Sequence, residues 1–211
     1  MNGLKDRLLN ILLFPPRFFA GLTDKKATLC IGILLIGIID LFGSDPTVTY
    51  KLLFTGMPEA SVRLNALIAV GVAVLLGVVD VIFFSVPMYD LFRYMKKRED
   101  KPHTASAVKV MKVYISSHFL IIPVMLFMHF LFFRGITENS GEFFINIYFV
   151  YFFAIMIWSS GIIARGISTL FDFNPIFRRL SFIIIFIWQF VWSMVFDLQI
   201  LYWLFKLFRQ A

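Results

Sequence analysis

Two carboxylates, Asp80 and Asp197, interrupt long runs of apolar residues. Inside a hydrocarbon layer an ionisable side chain is costly, so each needs either a function or a fixed internal partner. On a helix rising about 1.5 Å per residue, Asp80 lies slightly to the cytosolic side of its helix midpoint. His118 falls at nearly the same depth on the next helix, which makes Asp80–His118 the expected pair. Asp197 lies toward the outer half, level with Asn146 and His129. Asp80 also continues a stripe of small residues, Ala69, Ala73 and Gly77, a pattern that lets membrane helices approach closely and turns the carboxylate inward. Two chemistries fit: a proton- or ion-coupling site, or a hydrogen-bonded carboxylate that fixes helix register. The second is preferred, because transport sites bring several convergent polar groups and broken helices. Pro87 and Pro123 could loosen their helices, but neither lies in a glycine-rich break.

Other chemistry finds little support. His118 and His129 return to one helix face, yet about 16 Å of helix separates them, too far to share a metal. His103 belongs to a polar loop, and no His-Glu-x-x-His stretch is present, so metal catalysis is not expected. The single Cys30 excludes an internal disulfide or a cysteine-based zinc cluster. Trp158-Ser159-Ser160-Gly161 resembles the Gly-x-Ser-Gly stretch of intramembrane serine proteases only in part, because Trp158 stands where the first glycine belongs. Neither a phosphate-cradling glycine loop nor a carboxylate pair for acid/base work is found. The reading assigns no catalytic residue, no cofactor and no metal.

The elements that must position these residues follow from composition. Of 211 residues 60% are apolar and 16% charged, outside the soluble balance. A crossing takes about 20 residues, and the apolar runs predict five transmembrane helices near 27–42, 64–92, 109–133, 142–163 and 182–205. All of the 20 Lys and Arg except Lys51, Arg63, Arg134, Lys206 and Arg209 fall in 1–26, 93–112 and 164–181. Basic groups resist translocation, so these stretches predict a cytosolic N-terminus and an outward C-terminus. The net charge of +7 is then cytosolic-face charge facing anionic inner-leaflet lipids, and nucleic-acid binding is not expected. Residues 1–26 form one unit, a cytosolic interfacial amphipathic segment, and 27–211 a second, the five-helix membrane domain. In the first, Leu4, Leu8, Ile11 and Leu12 oppose Lys5, Asp6, Arg7 and Asn10, a helix lying in the headgroup plane and ended by Pro15 and Pro16. The prolines and charges before the first span interrupt any signal-peptide core, so that span is expected to remain as an anchor.

Phe14-Pro15-Pro16-Arg17-Phe18 and Phe173-Asn174-Pro175-Ile176-Phe177 both fit Phe-x-Pro-x-Phe, each shortly before a span. Proline halts a helix and flanking aromatics settle at headgroup level. Phe14, Pro16, Phe18, Phe173, Pro175 and Phe177 are therefore the expected cytosolic interaction surface.

The amphipathic lead with its Pro-Arg-Phe-Phe stretch (within Phe14 to Phe19), the five spans and the outward C-terminus resemble the Yip family, Rab-interacting membrane proteins and their bacterial relatives. The acidic tail and Asp-Leu-Tyr-Gly-Pro-type stretch of eukaryotic members are absent, which points to the shorter bacterial branch. The resemblance implies a non-catalytic protein of the cell membrane, sometimes an accessory to an export or stress-defence transporter. The expected fold is thus all-α, a polytopic membrane bundle of five helices with an N-terminal interfacial helix. The expected function is a scaffold or accessory subunit in export, trafficking or stress defence. Its partners would be the lipid bilayer and other integral membrane proteins, such as an ABC-type transporter, or further copies of itself. The alternative is a small proton- or ion-coupled transporter or channel using Asp80 and Asp197.

Overall fold

Every backbone amide in a hydrocarbon layer must bond within the protein, which leaves helices as the elements available to a chain of this composition. The computed structural model describes residues 7, 9–43, 59–97, 105–132 and 142–201, and at 42–43, 59–61, 125–132, 142–146, 148, 197–198 and 201 the course of the backbone alone. Among the described residues there is no strand. After a helical turn at 9–12 come α1 (Pro16–Ala20), α2 (Lys26–Gly43), α3 (Glu59–Lys97), α4 (Ala107–Phe132), α5 (Glu142–Phe171) and α6 (Pro175–Val195). A π-helical stretch, Phe196–Leu201, continues α6. Among the described residues four helices are long and apolar enough to cross a membrane, over Val62–Lys97, Ala107–Val124, Phe149–Phe171 and Pro175–Val195.

The long helices alternate in direction, because one end of the bundle collects the starts of α2, α4 and α6 and the finishes of α3 and α5. That end is tied by side chains. Ser106 caps α4, its Oγ accepting from the Lys109 amide at 3.2 Å, and it also bonds Asp24 just ahead of α2. Asn174 caps α6 through the Phe177 amide at 2.9 Å, with Pro175 at the first helical position, where proline's missing N–H costs nothing.

The basic stretch 164–181 departs from expectation. It is helical apart from the turn at 172–174: α5 runs on to Phe171 and α6 starts at Pro175. Lys96 supplies the reason. Its buried amine donates to the Asp172 carbonyl at 2.8 Å, a cation at the negative end of α5. Asp172 itself adopts a left-handed φ of 49°, the conformation that ends many helices. A helix can therefore continue well past the apolar run.

The small-residue stripe packs against α2. A Cβ on Gly37 would stand 1.6 Å from the Ala73 carbonyl oxygen, and one on Gly77 would stand 2.0 Å from that of Ile33. The two backbones are in contact, and no side chain fits between them. The Asp80 carboxylate, one turn beyond Gly77, is thereby held inside. Replacing Gly77 by Ala should destabilise the protein by about 1–3 kcal/mol, the range for overpacking. Gly71→Ala, where a Cβ meets nothing within 4 Å, should not. Thermal unfolding of both variants in detergent measures the difference.

Candidate functional site: the Asp80 carboxylate between three helices

Asp80 is buried on α3, and its charge-bearing atoms are met by donors from two other helices. From α4, the Tyr114 hydroxyl stands 2.9 Å from both carboxylate oxygens. From α6, the Trp192 indole N–H donates to Oδ1 at 2.6 Å. Aromatic rings close the surroundings. Phe84 stacks on Tyr114 with centroids 4.0 Å apart, and Phe83 stacks on Trp192 at 5.7 Å. Four residues before Trp192, Trp188 donates to the Phe84 carbonyl at 3.2 Å. Pro87 lies on the next turn of α3, and the amide it lacks would have bonded the Phe83 carbonyl, one residue before Phe84. Two indoles from one face of α6 thus bond α3, one at the Asp80 carboxyl and one at a backbone carbonyl.

His118 lies near enough to Asp80, as its depth suggests, for charge to act between them. It lies one turn beyond Tyr114 on α4, with its ring edge-on to the tyrosine at 4.4 Å and Nδ1 3.1 Å from the Tyr114 carbonyl oxygen. The hydrogen bonds of Asp80 go to Tyr114 and Trp192, and His118 flanks Tyr114. Asp197 falls in the π-helical stretch. The side chains of Asp197, His129 and Asn146 lie outside the described residues, as does all of His103.

The serine pair of the protease-like stretch is also spoken for. Gln189 on α6 donates to Ser159 at 2.9 Å and accepts from Ser160 at 2.8 Å, so both hydroxyls join α5 to α6. Ser168 and Ser181 meet in the same seam at 3.3 Å. Among the described residues no three His, Cys, Asp or Glu side chains converge as a metal site.

Of the expected surface residues, Pro16, Phe18 and Pro175 are exposed, whereas Phe14 and Phe177 are half-buried. Phe173 is buried, stacked on Phe171 at 5.4 Å and tilted against Phe92 at 5.8 Å. It anchors its elbow from within and presents no ring to a partner, because the turn capped by Lys96 points it inward. Arg165 sits inside α5. It donates to the Leu9 carbonyl at 3.2 Å and to Asn10.

Sequence reasoning missed Tyr114, Trp192 and Gln189. Tyr114 carries a signal in retrospect, four residues before His118 and so on the same face of α4. Trp192 and Gln189 carry none, since their partners are more than 100 and about 30 residues away in sequence. No family model, curated protein or solved structure matches this chain.

Tyr114→Phe and Trp192→Phe each remove one donor while keeping the ring. Each should cost about 1–2 kcal/mol of stability, the range for interhelical bonds in membranes and for an under-bonded buried acceptor. The double variant should lose more than the sum, because the remaining carboxylate then has neither donor. Equilibrium unfolding of the four proteins in mixed micelles gives the coupling.

Proposed function

We propose that this chain is a non-catalytic multi-pass scaffold or accessory subunit for other integral membrane proteins. The observation that carries the reading is the closure of Asp80 by Tyr114 and Trp192. The most reactive side chain described in the interior spends its acceptors on joining α3, α4 and α6. Ser159, Ser160 and Gln189 do the same for α5 and α6. Residues so used hold helices together and leave substrate-sized chemistry without a polar centre.

In this reading α2 is a fifth crossing. Its 18 residues rise about 27 Å, close to the roughly 30 Å of a hydrocarbon core. Five crossings, with the basic end in the cytosol, place the C-terminus outside. The Yip-like architecture, the cell membrane as location, and an export transporter, ABC-type or other, as partner belong to the same proposal. Exposed Ile176, Leu180, Ile183, Ile187, Val191 and Met194 recur along one side of α6, a surface available to lipid, to a neighbouring membrane protein or to a second copy. A photo-reactive residue at Ile187 should give a discrete cross-linked species with a second protein in native membranes. Cross-links to lipid alone would remove the scaffold reading.

A second reading is favoured by the alignment of Asp80, Tyr114 and His118, a buried acid beside a phenol and an imidazole. It makes the chain a small proton- or ion-coupled transporter. Asp80→Asn and Asp197→Asn decide between the two in proteoliposomes. The scaffold reading expects proton and cation flux at the background of empty vesicles in the native protein and both variants. Coupling expects a native flux that falls at least tenfold in one of them.

A further inference from the structure

The N-terminal segment does not lie along the end of the bundle. It descends beside α5 and comes back. Arg165 holds the start of the segment, bonding the Leu9 carbonyl and Asn10. The Leu12 carbonyl is instead bonded by Trp158 Nε1, at 2.7 Å. From Arg165 to Trp158 is about 10 Å along α5, away from the basic end and into the apolar part of the helix. Leu13 reaches the level of Gly161, where a Cβ would meet its Cδ2 at 3.2 Å.

The chain then reverses. Phe14 takes a left-handed φ of 57°, Pro15 and Pro16 open α1, and buried Phe19 returns to the level of Gly166. From there the segment climbs to the basic end, where buried Lys112 donates to the Thr23 carbonyl at 2.6 Å and Lys109 faces Asp24 at 3.8 Å.

The outer side of this hairpin is apolar at its tip. Ile11 is 70% exposed, Leu12 49% and Phe18 41%, and Pro15 and Pro16 are exposed between them. Beside it, Ile157 of α5 is 51% exposed, so the tip continues the lipid-facing surface of a crossing helix. Exposed cations stand at both ends of the segment, Arg7 before it and Lys25 and Lys26 after it, and their charge suits phosphate headgroups. Arg17, next to the tip, has a stem long enough to carry its guanidinium back toward the headgroups.

We infer that residues 9–20 form a re-entrant wedge occupying the leaflet at the basic end of the bundle. Its Pro15-Pro16 tip lies among the acyl chains, with Arg7, Lys25 and Lys26 at phosphate level. The occupant of the exposed face is lipid. Amphipathic helices that lie flat bury their apolar face about 5–10 Å into this boundary. Here Trp158 and Arg165 hold a hairpin at that depth. The wedge adds cross-section to one leaflet only.

The inference rests on the membrane reading of the bundle, and one experiment separates the two. In a Cys30→Ser background, spin labels are placed singly at Ile11, Leu12, Phe18, Lys25 and Ile157, and the full chain is reconstituted in phosphatidylcholine–phosphatidylglycerol vesicles. Collision rates with oxygen, which concentrates in acyl chains, are compared with those of a water-soluble nickel chelate. The wedge requires an oxygen-to-nickel ratio several-fold higher at 11, 12 and 18 than at 25, and close to that at 157. Nickel access at 11, 12 and 18 with oxygen access at 157 overturns the wedge and keeps the crossing helix. Nickel access at 157 as well overturns the membrane reading itself. Low access to both reagents at 11, 12 and 18 means that protein covers the tip and overturns lipid as its occupant. Trp158→Phe should raise label mobility at Leu12, and unchanged mobility there overturns the clamp.

Discussion

A polar group surrounded by hydrocarbon has no water to turn to, so its partner must come from the protein. Almost every specific feature of this bundle follows from that demand. The Asp80 carboxylate draws a phenol from α4 and an indole from α6. Ser159 and Ser160 draw Gln189. The hydrophobic effect cannot set these pairings, because lipid tails are as apolar as leucine and offer helices no hydrophobic reason to associate. Hydrogen bonds and close backbone contact are left to decide which helices meet, and at what register.

The close contact is supplied by Gly37 and Gly77, where α2 and α3 meet backbone to backbone. Its consequence reaches the site: α3 is fixed on one side by α2, so the turn that carries Asp80 is presented to α4 and α6. At the basic end the same demand is met by long cations. Lys96 reaches the Asp172 carbonyl, Lys112 that of Thr23 and Arg165 that of Leu9. Carbonyls in turns and at helix ends are short of intrahelical partners, although that of Leu9 also takes the Leu13 amide, and a lysine or arginine can bring a further N–H donor across a chain reversal. Residues counted as topology signals thus also serve as joints: the three basic stretches are bonded to one another in pairs.

The sequence was most legible where the signal is a long one-dimensional pattern. Apolar runs placed α4 to within two residues and α3 to within five at each end, whereas α6 starts seven residues before the run expected at 182–205. The helical ends were less legible. The extension of α5 past Arg165 depends on Lys96, a residue on another helix, and the proline pair at 15–16, read as a terminator, follows the helical turn at 9–12 and also opens α1. A proline signals only that an amide is missing. Whether a helix ends before it or begins at it depends on what the neighbouring carbonyls find.

By itself, then, the sequence determined a helical fold for the described residues with helices apolar enough to cross a membrane, that Asp80 belongs inside, and that Ala69, Ala73 and Gly77 form a packing face. Those follow from composition and helical periodicity, which any local stretch of chain carries. Only the tertiary structure decided the partners. Tyr114 and Trp192 supply the hydrogen bonds of Asp80, where depth alone pointed to His118, which acts on it through charge. Phe173 turned inward while Phe18 stayed out, and the N-terminal segment descended beside α5 instead of lying across the end of the bundle. Each outcome depends on the rotation of one helix about its axis relative to another. That angle is set by contacts such as Gly37 on Ala73, between residues far apart in sequence, and no local pattern records it.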